Sequence, residues 1–245
     1  MKILVTNDDG IHCEGIRVLA EELGRDHEVW VFSPDGDRSG SSHSMTLRSP
    51  GKVRALDERT YTCSGMPADC VILAFRGALP FLPELVVSGI NRGPNLGTDI
   101  VYSGTAAAAR QAVLHGIPGI AVSLATYGPA FDFRPAARFV RSNLDALLAA
   151  WDASVFLNVN VPPGSDADTR GAVFARPGKR TYRDSLHTFV APDGFTYCFL
   201  TGETIDNAGE EAADTSVVDS GLIAVTKVLV DPQVPPAFPA GQRFP

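Results

Sequence analysis

Asp8 and Asp9 stand side by side in Thr6-Asn7-Asp8-Asp9-Gly10, directly after a short apolar run. Two carboxylates in one tight turn repel each other unless a cation sits between them. A helix N-cap would account for one of them, since Asp accepts from free helical N–H groups and suits the positive end of the helix dipole. Two in succession, with Asn before and Gly after, favour a metal site. A second polar segment, residues 33–44, is dense in Ser and Gly. It reads either as a solvated linker or as an anion site lined by hydroxyls and backbone amides. A third segment, residues 88–97, offers Asn91, Asn95, Arg92 and three glycines, and Tyr102-Ser103-Gly104-Thr105 follows at an expected helix start, a common place for a phosphate.

Taken together, these segments hold hard oxygen ligands: two carboxylates, a Ser hydroxyl and an Asn carbonyl. That set suits Mg2+ or Mn2+ rather than structural zinc. A hard cation beside an anion-binding helix end points to phosphate-ester chemistry, with the metal polarising a phosphoryl oxygen and activating water. Neither a Walker A motif nor a G-x-G-x-x-G fingerprint is present, so NTPase and dinucleotide readings are weak. His43, alone in its loop, fits a surface residue, a substrate contact or a proton donor to the leaving group. His12 fits a polar loop residue, and neither receives a catalytic role.

The elements that must position these residues alternate. Ile3-Leu4-Val5 reads as a strand buried on both faces. Ile16, Leu19, Ala20 and Leu23 recur with helical spacing, and residues 28–32 give a second strand. Further along come a helix entered at Met66-Pro67, a strand over 85–90, an Ala-rich helix over 103–115 and a strand over 117–124. A helix starting near Pro135 and running to Trp151 and a strand over 155–161 complete the series. Strands and helices taking turns predict an α/β fold, a Rossmann-like three-layer sandwich with a mostly parallel central sheet. Loops at the carboxyl ends of such strands form the ligand crevice, which is where the polar segments fall. Beyond about residue 165 the alternation stops. Strands are expected over 196–200 and 222–230, and five prolines fall in the last 15 residues. We therefore expect an α/β core over 1–164, and over 165–245 a smaller β-rich arm with a Pro-rich tail, serving oligomerisation within one structural unit.

Composition narrows the partners. The 245 residues carry 21 Lys plus Arg against 28 Asp plus Glu, a net charge of 21 − 28 = −7. A net acidic chain without a basic cluster is a poor match for long nucleic acid. Apolar runs fall short of the ~20 residues of a membrane span. The carboxylates come too early for a signal peptide, and four cysteines without metal-binding spacing read as reduced thiols of a cytoplasmic protein.

The segments T-N-D-D-G at 6–10, D-R-S-G-S-S-H-S at 37–44, S-G-I-N-R-G-P-N-L-G at 88–97 and Y-S-G-T-A-A-A-A at 102–109 together resemble the SurE family of survival-protein nucleotidases. The likeness is close over 1–125 and thinner beyond, where Gly178, Arg180, Pro192-Asp193-Gly194, Asp214 and Gly221 look like weaker landmarks. It implies one divalent cation per subunit, held by Asp8, Asp9, Ser39 and Asn91, and a phosphate pocket lined by Gly40, Ser41, Asn95, Ser103, Gly104 and Thr105. It further implies hydrolysis of 5′- and also 3′-nucleoside monophosphates in a cytoplasmic homodimer or homotetramer with an exchanged C-terminal arm. Asp8 and Asp9 are the expected catalytic pair. Attack by water is preferred to attack by an aspartate, because both carboxylates are needed as ligands. The alternatives are a nucleotide-binding module without hydrolysis and a broad phosphatase or exopolyphosphatase. The chain departs from the family near its end: where relatives place a His four residues after an Asp, Asp231 is followed by Pro232-Gln233-Val234-Pro235.

Overall fold

Ile3 and Val5 face one side of the sheet and Leu4 the other, and that alternation builds three layers. The computed structural model describes residues 1–128, 131–164, 170–205 and 212–232. The strands are β1 (Lys2–Thr6), β2 (Glu28–Pro34), β3 (Val53–Ala55), β4 (Thr60–Cys63), β5 (Leu85–Arg92), β6 (Gly119–Leu124), β7 (Val155–Val161), β8 (Ala172–Ala175), β9 (Thr181–Val190), β10 (Thr196–Ile205) and β11 (Ile223–Leu229). The α-helices are α1 (Glu14–Leu23), α2 (Pro67–Leu73), α3 (Gly104–Leu114), α4 (Arg134–Ser142), α5 (Leu144–Ala150) and α6 (Asp214–Asp219), and a 3-10 turn covers Gly97–Val101. None of these helices is long and apolar enough to cross a membrane.

Nine strands form one sheet in the order β3-β4-β2-β1-β5-β6-β7-β11-β8. The six from β4 to β7 run parallel, β3 is antiparallel to β4, and β11 is antiparallel to β7. From β1 the chain moves outward to β2 and β4, then returns to β5 on the other flank of β1. Strand order therefore reverses between β1 and β5, which opens the ligand crevice at their carboxyl ends. On one face α1, α4 and α5 pack Ile16, Leu19, Val140 and Leu147 against Ile3, Val5, Val87 and Val122. On the other, α2 and α3 cover Leu4, Phe32 and Val86. Ala106 to Ala109 are fully buried in α3, and their small side chains let the helix lie close over the sheet.

Several expectations are refined. The helix begun near Pro135 is two helices, because the Asn143 amide bonds back to the Phe139 carbonyl at 2.9 Å and breaks the run. Exposed strands β3 and β9 gave no apolar run in the sequence, β8 is an apolar run of only four residues, and α6 has too few residues to show a helical period. The stretch after residue 165 adds β8 and β11 to the main sheet, contributes α6, and sends out β9 and β10 as a separate antiparallel pair. Pro192-Asp193-Gly194 makes its turn, with Gly194 at φ +86° and the Asp193 carboxylate accepting from the Phe195 N–H. The Pro-rich tail from residue 233 on lies outside the described residues.

Candidate metal and phosphate site

Asn7 folds the turn that follows β1. Its amide donates to the Gly10 carbonyl at 3.0 Å, and its oxygen accepts from the Gly10 N–H and from the Ser33 hydroxyl on β2. Asp8 and Asp9 are thereby set at the mouth of the crevice. The N-cap alternative fails: α1 begins only at Glu14, its N-cap is Cys13, and no side chain caps it. Asp8 is almost fully buried, and one of its oxygens accepts from the Thr105 hydroxyl on α3. Asp9 accepts from the backbone N–H of Arg92 at 3.1 Å. Each carboxylate thus has one oxygen tied by a hydrogen bond, which fixes its orientation.

Electrostatically the pair is unsatisfied. Burial pushes the Asp8 carboxyl up despite the Thr105 hydrogen bonds. Burial and the neighbouring Asp8 charge push Asp9 up to about 6. Among the described residues no cluster of three or more His, Cys, Asp or Glu that could hold a metal exists, and the neutral polar side chains beside Asp8 in the cavity carry hydroxyl and amide groups. Ser39 and Asn91 line the same cavity of about 280 Å³ as Asp8, with Gly40, Asn95 and Ser103. The Ser39 hydroxyl donates to Asp37 at 2.6 Å, which leaves its acceptor lone pairs available. Asn91 donates to the Gly93 carbonyl, so its own oxygen is the group left for a cation. One buried and one half-buried carboxylate side by side, next to neutral oxygen donors, fit a hard divalent cation.

The opposite wall is the start of α3. Ser103 is its N-cap, accepting from the Ala106 N–H at 3.0 Å. Gly104 is required by space: a Cβ there would lie 2.9 Å from the Asp8 Cβ and 3.0 Å from the Ser41 Oγ. The Ser41 hydroxyl is buried without a hydrogen-bond partner, next to a helix N-terminus that favours an anion. Its loop is pinned along its length. The Arg38 N–H donates to the Asp8 carbonyl, Ser42 bonds the Val101 and Tyr102 carbonyls, and Thr46 bonds Asp69 at the start of α2. Segment 35–46 is therefore a built wall and not a free linker.

The ten residues expected at the site come together, with two differences in detail. Thr105 is fully buried and acts on Asp8 rather than facing the cavity. Asn95 donates its amide to the Ser123 hydroxyl at 2.8 Å. Its backbone is clamped by Asn158 and Asn160, which both donate to its carbonyl, while Asn160 accepts from its N–H. Sequence reading missed those two residues, although Asn at alternate positions of an otherwise apolar strand was the available signal. It also missed Asp99 and Tyr182, which join the cavity from the 3-10 turn and from β9. His43 lies against Gln111 at 2.9 Å and is half-buried, and burial lowers its pKa. Asp214 gathers the later landmarks, accepting from the N–H groups of Gly97 and Gly178, both at 2.8 Å.

Known proteins with this arrangement are similar along the whole chain. The sequence profile of the survival protein SurE family matches residues 3–184. The 5′-nucleotidase SurE of Synechococcus sp. (strain JA-3-3Ab) is 40% identical over 253 aligned residues, covering 100% of this chain and 97% of its own. That of Geobacter sulfurreducens is 43% identical, covering 94% and 88%. The crystal structure of the SurE protein from Aquifex aeolicus superposes with a TM-score of 0.83 at 36% identity, covering 94% of each chain.

Proposed function

The chain belongs to the SurE family and is a nucleotidase, and from that premise we propose that it hydrolyses 5′- and also 3′-nucleoside monophosphates with one divalent cation, Mg2+ or Mn2+, per subunit. Asp8, Asp9, Ser39 and Asn91 would hold the cation. The observation that carries this reading is the buried Asp8, with the half-buried Asp9 beside it, lying against the start of α3, where the unpartnered Ser41 hydroxyl also sits. When bound, the cation would neutralise the two carboxylates, draw the phosphate in and polarise it for attack by water.

The remaining work falls to the chain itself. Ser103, Gly104 and the first turn of α3 offer N–H groups to the phosphoryl oxygens, and Gly40 and Ser41 close the other side. Thr105 and the Arg92 N–H fix the two carboxylates in place. Asn158 and Asn160 hold Asn95 at the cavity wall. With both carboxylates needed to hold the cation, water and not an aspartate would be the nucleophile, and the ester oxygen would take up a proton released by that water and leave as a nucleoside hydroxyl.

Residues 1–164 would carry this whole machinery, while 165–245 closes the sheet and supplies the hairpin of β9 and β10. Leu186, Phe189, Phe199 and Leu200 are exposed on that hairpin, and exposed apolar surface of this kind marks a contact site. We assign it to a homodimer or homotetramer. All four cysteines are unpaired, which suits the reducing cytoplasm. Purified protein incubated with a nucleoside monophosphate should release phosphate when Mg2+ or Mn2+ is supplied and stop when a chelator is added. Undiminished release in excess chelator would refute the metal-dependent reading.

A further inference from the structure

The cavity that begins at Asp8 and Ser103 extends to Asp99, Tyr102 and Tyr182, beyond any group assigned to the cation or the phosphate. At that end Asp99 has both carboxylate oxygens engaged: one accepts from the Tyr182 hydroxyl at 2.7 Å, the other from Arg180 at 2.7 Å. The same guanidinium nitrogen donates to the Tyr127 hydroxyl at 2.7 Å, and the Arg180 guanidinium lies 5.8 Å from the ring centroids of both Tyr127 and Tyr182. The Arg180–Asp99 pair is largely shielded, at 9% and 14% side-chain exposure, so solvent screens it little. Behind it, Thr98 bonds both the N–H and the carbonyl of Arg180. Four residues from three separate segments thus build a rigid frame around one tyrosine ring.

With Asp99 occupied by Arg180 and Tyr182, the frame offers little acidic acceptor to an incoming ligand. What it leaves open is aromatic surface: Tyr182 is 39% exposed and Tyr102 63% exposed at the wall of the cavity. We propose that Tyr182 and Tyr102 form the nucleoside-recognising wall of the site, taking the purine or pyrimidine ring of the substrate by stacking, with Asp99 and Arg180 as positioning residues that hold Tyr182. This rests on the nucleotidase reading above and deepens it. Stacking is tolerant of base identity because every base has a π-face. The wall therefore selects nucleotides as a class over aliphatic phosphate esters, without choosing one base.

The test compares kcat/KM for a nucleoside 5′-monophosphate and for glycerol 2-phosphate, at fixed Mn2+, in the wild type and in variants. The wild type favours the nucleotide. Tyr182→Leu narrows that ratio about tenfold, through KM rather than kcat, as expected for one lost stacking contact. Tyr182→Phe retains the ring and most of the ratio. Tyr102→Leu, on a separate element, narrows the ratio as well and carries the test should Tyr182→Leu not fold. Asp99→Asn weakens the frame and narrows it by a smaller factor. Leucine variants that keep the wild-type ratio, or lose both activities in equal proportion, overturn the proposal. A wild type that hydrolyses both esters equally well overturns it while hydrolysis stands, and one that hydrolyses neither removes the nucleotidase reading with it.

Discussion

Asp8 is 4% exposed and tied to Thr105 across 97 residues of sequence, whereas Phe199 is 54% exposed on a hairpin whose strand β9 is exposed at every position. The crevice between β1 and β5 is held by bonds from at least four segments of its own chain. The hairpin of β9 and β10 is held by its strand ladder and by stacking of Phe189 on Tyr197 and Phe199 at 5.1 and 6.0 Å. A two-stranded ribbon alone is marginal in water. The difference teaches where each region obtains its order: the site from bonds within one chain, the ribbon, under the proposed assembly, from contact with another surface. Only its root is an exception, because Arg180 and Tyr182 are bound to the site through Asp99.

Breaking the buried region should have the largest effect. Asp9→Asn removes one charge from the pair and is expected to lower phosphate release by roughly 100-fold or more, measured at saturating Mn2+. The same substitution relieves repulsion with Asp8, so the metal-free variant should melt higher than the metal-free wild type. Gly104→Ala comes next. Its methyl would press on Asp8 and Ser41 at about 3 Å, and a displacement of ~1 Å at a site can cost up to about 100-fold. Steady-state kinetics should show the loss mainly in kcat/KM, with the far-ultraviolet circular dichroism preserved.

A pH series sharpens the contrast. Asp9 sits at about 6 in the fold against 3.8 in an unfolded chain, so between those values the folded state binds more protons. Its contribution therefore favours the metal-free fold as pH falls through that window and opposes it above about 6. Cation affinity runs the other way, because a protonated Asp9 is a poorer ligand. The rise in melting temperature caused by Mn2+ should be large at about pH 7.5 and small at about pH 5. The smallest effect on stability is expected in the ribbon. Phe189→Ser with Phe199→Ser should change core stability by only about 0.5 kcal/mol in a dilute melt. Light scattering should nevertheless show the mass shift toward the single chain.

How much of this was legible follows the same division. Predominantly apolar runs announced β1, β5, β6 and β7, because strands buried on both faces are apolar over most of their length. Asp8, Asp9 and Ser39 were readable as candidates because they fall in polar loops after β1 and β2, Asn91 because it lies at the carboxyl end of β5, and Ser103 because it stands at a helix start. The frame around Tyr182 was not: Asp99, Tyr127 and Arg180 lie in separate segments, and only the folded chain joins them. Asn158 and Asn160 left a trace, since buried amides in an apolar strand demand partners, but the partner Asn95 is more than 60 residues away. Strand β9 was missed because both its faces are exposed, so neither carries the alternation that marks a half-buried strand. The strand expected over 196–200 falls within β10 and was the legible part of the ribbon, and the Asp193-Gly194 pair beside it is a turn signal.

Calorimetric titration of Mn2+ into the wild type and Asp9→Asn tests the central claim most directly. The account predicts one ion bound per chain in the wild type and binding lost or strongly weakened in the variant, whose fold is retained. An Asp9→Asn variant that takes up Mn2+ with the wild-type stoichiometry and affinity would contradict it.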